Sequence, residues 1–279
     1  MADFGSLFIV PTPIGNLEDI TLRAIRTLKE VDLIAAEDTR HSQKLLQHFD
    51  ISTRLISLHD HNESQRATQL IEKMQQGMNI ALISDAGTPL ISDPGYGLVN
   101  QCRANNLEVI PLPGACAAIT ALSGAGLATD RFRFEGFLPA KQQAKAQALE
   151  SIERETATSV FYESPRRITD TLQAIVDVLG CERRVVLAKE LSKAFETFYS
   201  GSAGEALDWL HADSNHHRGE FVLMVAGHKM DVNDIPEEAL KLLKLLMAEL
   251  PPKKAAAVVA QQYGLKKNTL YQVGLAFDQ

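Results

Sequence analysis

Short apolar runs alternate with amphipathic stretches over most of this chain. Leu7 to Val10 reads as a strand, and Leu17 to Glu30 as a helix in which Leu22, Ile25, Leu28 and Val31 recur every third residue. Leu33 to Ala36 is a second strand, followed by a helix from Thr39 to Phe49. Arg54 to Leu58 is a third, before a helix from about Glu63 to Gln76 that Gly77 ends. The apolar run Ile80 to Ile83 leads through a Gly- and Pro-rich segment into a helix over Tyr96 to Asn105. Val109 to Leu112 closes at Pro113-Gly114, and a helix of small residues follows from Ala115 to Gly124. Repeated βα order predicts a mainly parallel sheet covered by helices.

The pattern breaks at the glycine and small residues of Gly124 to Asp130. Arg131 to Phe137 then alternates as a strand does, and a helix over 141–153, a strand over Ser159 to Tyr162 and a helix over Pro165 to Leu179 come after it. Val185 to Ala188, Glu196 to Tyr199 and Phe221 to Val225 read as strands, the last two on either side of a helix over Ala203 to His211, so this second sheet is expected to be mixed. After Gly227 the chain turns helical: Pro236 to Leu250, stopped by Pro251-Pro252, then Lys253 to Gln262 and Lys266 to Leu275 about a Gly-containing turn. The expected division is an α/β domain over 1–124, a second over 125–230 and a helical extension over 231–279.

At 279 residues, 45% of them hydrophobic, the chain buries a core large enough for this division. No apolar run approaches the roughly 20 residues of a membrane span, and the start lacks the basic and apolar regions of a signal peptide, so a cytoplasmic protein with no membrane partner is expected. Cys102, Cys116 and Cys181 are odd in number and widely spaced, as reduced thiols are, and no Cys/His cluster has metal-ligand spacing. The net charge of −7 argues against a nucleic-acid footprint over the whole surface. It leaves local patches open. In the tail, Lys241, Lys244, Lys253, Lys254, Lys266 and Lys267 outnumber Glu237, Glu238, Glu249 and Asp278. That tail reads either as a helix-turn-helix with lysines facing phosphate or as a solvated helical hairpin.

Chemistry concentrates at the ends of three strands. Pro11 to Asn16, Asp85 to Gly95 and Pro113 to Ala118 gather at one edge of an open α/β sheet, where such folds bind ligands. There is neither a G-x-G-x-x-G after the first strand nor a P-loop, so polyphosphates lack their usual cradle. Small residues, open amides and two carboxylates suit an adenine-bearing zwitterion with a positive centre. Plain strand-to-helix turns are the alternative.

Six blocks carry a resemblance. They are Pro11-Thr12-Pro13-Ile14-Gly15-Asn16-Leu17, Ala36-Glu37-Asp38-Thr39-Arg40, Ser84-Asp85-Ala86-Gly87-Thr88-Pro89, Pro111-Leu112-Pro113-Gly114-Ala115, Phe161-Tyr162-Glu163-Ser164-Pro165-Arg166-Arg167 and Lys189-Glu190-Leu191-Ser192-Lys193. In this order they resemble the 16S ribosomal RNA (cytidine-2′-O)-methyltransferase I family of the tetrapyrrole methylase superfamily. The resemblance implies two α/β domains of that type with S-adenosylmethionine in the cleft between them, a homodimer, and methylation of a cytidine ribose in 16S ribosomal RNA; because a lone basic hairpin supplies few phosphate contacts, the assembled small subunit is the expected substrate. By motif position Ile14, Asp85, Ala86, Gly87, Thr88, Cys116, Ala117, Tyr162 and Ala188 would contact the cofactor, with no metal required. Lys189 would assist deprotonation of the hydroxyl, with Glu37 and Glu163 as alternative proton acceptors. Arg40, Arg166 and Arg167 would meet the RNA. Where the superfamily often has Gly-Asp-Pro, this chain has Asp85-Ala86-Gly87. The same scaffold would also suit methylation of a tetrapyrrole or other small molecule, or an assembly factor that binds RNA without catalysis.

Overall fold

The computed structural model describes residues 4–228 and 235–277, and the chain divides into two compact units, residues 1–153 with 157–226 and residues 154–156 with 227–279. The expected boundary between 230 and 231 lies outside the described residues, as does Asp278 of the tail.

In the larger unit β1 (Leu7–Ile9), α1 (Leu22–Glu30), β2 (Leu33–Ala36), α2 (Thr39–His48), β3 (Leu55–Ser57), α3 (Glu63–Gln75), β4 (Ile80–Ile83), α4 (Tyr96–Ala104), β5 (Val109–Pro111) and α5 (Ala117–Gly124) follow in order. Their five strands are all parallel, ordered β3-β2-β4-β1-β5. Strand alternation sorts the side chains. Ile34, Ala36, Ala81 and Ile83 pack with Ala24 and Leu28 of α1 and Leu46 of α2, whereas Leu33, Ala35, Ile80 and Leu82 pack with Leu70 and Met74 of α3 and Leu98 of α4. Helices thus cover both faces, as right-handed crossovers require for a chain that first moves one way along the sheet and then returns.

The expected helix over Leu17 to Glu30 is in fact two pieces. Asn16 caps a 3₁₀ turn at Leu17–Asp19, and Thr21 starts α1 afresh by accepting the Ala24 N–H at 3.0 Å. The buried stripe is consequently Ala24, Thr27, Leu28 and Val31, while Leu22 is 86% exposed. Similarly, the helix expected from Pro165 begins only at Ile168.

The second sheet is built from β6 (Phe132–Phe137), β7 (Thr158–Glu163), β8 (Arg184–Lys189), β9 (Thr197–Ser202) and β10 (Phe221–Val225), with α6 (Gln142–Glu150), α7 (Ile168–Leu179) and α8 (Ala203–Ala212) between them. Its order is β6-β7-β10-β8-β9, with β6 and β7 parallel and the other pairs antiparallel, the mixed sheet expected from the pattern. Leu149, Leu172, Ile175, Ala206 and Leu210 of α6–α8 cover one face. The other face takes α5, whose Ala118, Ala121 and Leu122 pack on Val160, Val186, Val222 and Met224. Helix α5 therefore leaves the first sheet and closes onto the second, which sets the ends of β4 and β5 opposite those of β7 and β8.

The smaller unit holds α9 (Glu237–Glu249), α10 (Pro252–Tyr263) and α11 (Lys267–Ala276) around Ala239, Leu243, Ala256, Val259 and Leu270. Pro252 sits in the first turn of α10, and Gly264 closes that helix at φ 67°, a left-handed cap that favours glycine. Among the described residues, no helix is long and apolar enough to cross a membrane.

Candidate active site

Neighbouring strands β1 and β4 send their connections in opposite directions along the sheet, and the crevice this leaves at their carboxyl ends is where open α/β sheets bind ligands. The loops there are tied to one another. Thr12 and Gly87 exchange backbone hydrogen bonds of 2.9 and 3.0 Å, the Thr12 hydroxyl donates to the Ser84 carbonyl, and the Thr88 hydroxyl donates to the Ala115 carbonyl at 2.9 Å. Gly87 stands at φ +81° with its missing Cβ 3.3 Å from Ile14, so a side chain there would be both strained and crowded. Leu90 and Ser92 also hold positive φ, at 73° and 67°, without glycine's freedom. Each such residue costs about 1–3 kcal/mol, strain of the kind that collects at ligand clamps.

These loops face the ends of β7, β8 and β10 across a cleft of about 440 Å³, within the usual range of small-molecule sites. Ile14, Asp85, Ala86, Gly87, Thr88, Cys116, Ala117, Tyr162 and Ala188 all line it, and so do Glu37 and Glu163. Phe137, Leu191 and Val222 complete an apolar side, and Asp93 adds a carboxylate. Of these four only Asp93 is anticipated from the sequence, as one of the two carboxylates of the strand-end loops. Asp93 lies within the 85–95 loop, while Phe137 reaches the cleft only because β6 pairs beside β7, a pairing no local pattern announces. Tyr162 anchors this side: its hydroxyl accepts the Ala118 N–H at 3.2 Å, and Phe134 and Phe137 meet its ring edge-on at 4.9 and 5.7 Å.

Carboxylates crowd the opposite side. Burial, with Asp93 and Asp85 nearby, pushes Glu37 up to about 6, and burial, with Asp85 and Asp60 nearby, does the same to Asp93. Asp85 accepts the Asp38 N–H at 3.1 Å, and its own N–H lies against the Glu37 carboxylate, so the loops after β2 and β4 are tied together as one wall. Such a wall attracts a cation and repels phosphate.

Comparison with known proteins fits this geometry. The family model of the Tetrapyrrole (Corrin/Porphyrin) Methylases matches residues 6–207, and that of the RsmI C-terminal HTH domain matches residues 233–277. Ribosomal RNA small subunit methyltransferase I of Escherichia coli O157:H7 is 59% identical over 97% of this chain and 95% of its own length. The protein of the same name from Haemophilus influenzae is 58% identical over 98% and 97%. The chain belongs to the ribosomal RNA small subunit methyltransferase I family. Solved structures share its fold. A Thermus thermophilus uroporphyrin-III-C-methyltransferase aligns with TM-score 0.56 and 17% identity over 80% of this chain and 94% of its own, and a diphthine synthase with 0.62 and 13% over 82% and 93%.

The remaining expected site residues are placed outside the cleft or already hold other partners. Lys189 does not line the cleft: along β8 Val186 and Ala188 face α5, so Lys189 points to the other side with Val185 and Leu187, where its ammonium donates to the Asn215 carbonyl at 2.7 Å. Glu163 reaches the cleft rim, yet its carboxylate is already engaged. It accepts the Ser164 N–H at 2.8 Å and the Thr171 hydroxyl at 2.7 Å, and pairs with Arg167 Nε at 3.4 Å. Arg167 also donates to the Leu138 and Pro139 carbonyls, so it fastens the loop after β6. Arg166 is exposed, and Arg40 is 91% exposed with only a 3.5 Å contact to Asp38. Neither lines the cleft.

Proposed function

We propose that this chain transfers a methyl group from S-adenosylmethionine to the 2′-hydroxyl of a cytidine in small-subunit ribosomal RNA. The observation that carries the reading is the likeness over nearly the full length to relatives named for that RNA subunit. The cleft supports the donor. Glu37, Asp85 and Asp93 would complement the positive charges of a methionine ammonium and a sulfonium, the amides from Asp85 to Thr88 would meet its polar atoms, and Tyr162, Ala188 and Val222 would flank an adenine. Bound there, the cofactor supplies a methyl group already activated on sulfur.

The protein's own task is then to align an acceptor and remove its proton. With Lys189 turned away and Glu163 already engaged, Glu37 and Asp93 are the carboxylates in the cleft suited to take it, and Glu37 matches the family resemblance. A value near 6 leaves it ionised at neutral pH and still basic. Arg40 and Arg166, exposed and on the same unit, are suited to phosphate. We infer a cytoplasmic homodimer acting on the assembled small subunit, in line with the family resemblance.

Purified protein with labelled S-adenosylmethionine should place label in a cytidine ribose of unmethylated small subunits, with less in naked RNA and none in a porphyrin precursor. Label in the porphyrin instead, or no transfer to either, would overturn the reading.

A further inference from the structure

Behind the donor cleft lies a second groove of about 450 Å³ that shares Ile14, Asp85, Ala86 and Glu220 with it as a common wall. Its far side is α2. His41, Lys44, Leu45 and His48 recur at the spacing of one helix stripe and line the groove, and Pro13 and Leu17 oppose them from the loop after β1. Lys193 closes one end with its charge already satisfied by Glu190 at 2.8 Å and Glu220 at 2.9 Å. Gly15 lets the loop pass close against it, for a Cβ would stand 2.5 Å from the Lys193 side chain.

Two features mark this groove as made for a ligand. The side chains of His41, Lys44 and His48 make no hydrogen bond or ion pair among the described residues. Ser42, which also lines the groove, is 2% exposed, and its hydroxyl has no partner. A buried hydroxyl left unpaired costs about 1–3 kcal/mol, and native proteins rarely carry that cost without a role for the group.

We propose that this groove seats the acceptor: one ribonucleotide of the RNA strand, with a backbone phosphate at Lys44 and His41 and the nucleoside against Leu17 and Leu45. The assignment rests on the methyltransferase reading above. Charge supports the arrangement. Lys44 lines the side away from the donor cleft, while Asp85 and Glu220 stand in the shared wall and Glu37 and Asp93 beyond it, so phosphate is held off and the uncharged sugar edge faces the wall. A site for free nucleotide would place cations around several phosphates; here a single unpaired lysine suits one phosphodiester of a chain.

The test uses unmethylated small ribosomal subunits and three proteins, wild type, Lys44→Glu and Ser42→Ala. Lys44→Glu should keep its affinity for S-adenosylmethionine and its thermal midpoint. It should raise KM for the subunit about tenfold and lower the slope of log affinity against log salt by about 0.7, as loss of one single-strand phosphate contact requires. Ser42→Ala should match or exceed wild-type stability while also raising that KM. If both variants keep wild-type KM and salt slope, the groove is not the acceptor site although the methyltransferase reading stands. If wild type binds subunits through Lys44 but transfers no methyl, the groove stands and that reading falls.

Discussion

Replacing Glu163 by alanine separates a structural carboxylate from a proton acceptor. Its side chain is 1% exposed, and deleting it strands the Thr171 hydroxyl, itself fully buried, along with the Ser164 N–H at the start of the turn into α7. Hydrogen bonds to a charged group contribute about 1.5–3 kcal/mol each, and removing one member of a buried pair costs about 3–5 kcal/mol. Arg167 keeps its two carbonyl partners and is 30% exposed, which places the expected loss at the lower end, about 3 kcal/mol. For a unit of this size each kcal/mol moves the midpoint by about 2–4 °C, so Glu163→Ala should melt about 6–12 °C lower. Glu163→Gln, which retains one acceptor oxygen, should lose roughly half as much. Thermal unfolding followed by circular dichroism gives the midpoints, and methyl transfer is measured well below both. Transfer by the folded variants should stay within about threefold of wild type, a barrier change under 1 kcal/mol. An unchanged midpoint with transfer abolished would refute the reasoning and return Glu163 to the chemistry.

Three further outcomes are expected. Glu37 has its folded-state pKa raised from 4.5 to about 6, so the folded protein holds that proton more tightly and stability falls as pH rises through this window. Glu37→Gln should therefore stabilise the protein more at pH 7.5 than at pH 4.5, by about 1 kcal/mol after allowance for solvent screening, while slowing methyl transfer; urea titrations with the opposite pH order would disprove the cause given. Lys189→Met, on the face away from the cleft, should leave S-adenosylmethionine affinity and transfer rate near wild type by calorimetry and label incorporation, and a collapse in rate with normal donor binding would count against its placement. Gly87→Val, at φ +81° and against Ile14, should lose donor affinity and about 1–3 kcal/mol of stability, whereas equal binding would show that the loop is not a tight clamp.

Much of this could be read along the chain because it is local. The apolar runs at Ile80–Ile83 and Phe221–Val225 are strands with the expected bounds, since buried strands need continuous apolar sequence. That Gly87, Thr88 and Cys116 stand beside the cleft followed from motif position. What escaped was whatever depends on direction or pairing. Strand parity sends Ala188 and Lys189 to opposite faces, and one residue of error in reading it exchanges a wall residue for a structural one. Thr21 restarts α1 and turns Leu22 outward, which a three-residue apolar spacing does not reveal. Arg167 looks identical to Arg166 in sequence, but only Arg167 finds Glu163, four residues earlier across the turn that leaves β7. The carboxylate cluster needed the sheet order, because Glu37 and Asp93 follow different strands.

The central claim, ribose methylation by a donor held in this cleft, is tested most directly in a bacterium lacking its own member of the family. Mass spectrometry of its small-subunit ribosomal RNA, after this chain is expressed, should find a cytidine newly methylated on the ribose. Asp85→Arg, which places a cation in the donor wall, should leave that cytidine unmodified. An unmodified RNA in the presence of folded, donor-bound wild-type protein would contradict the account.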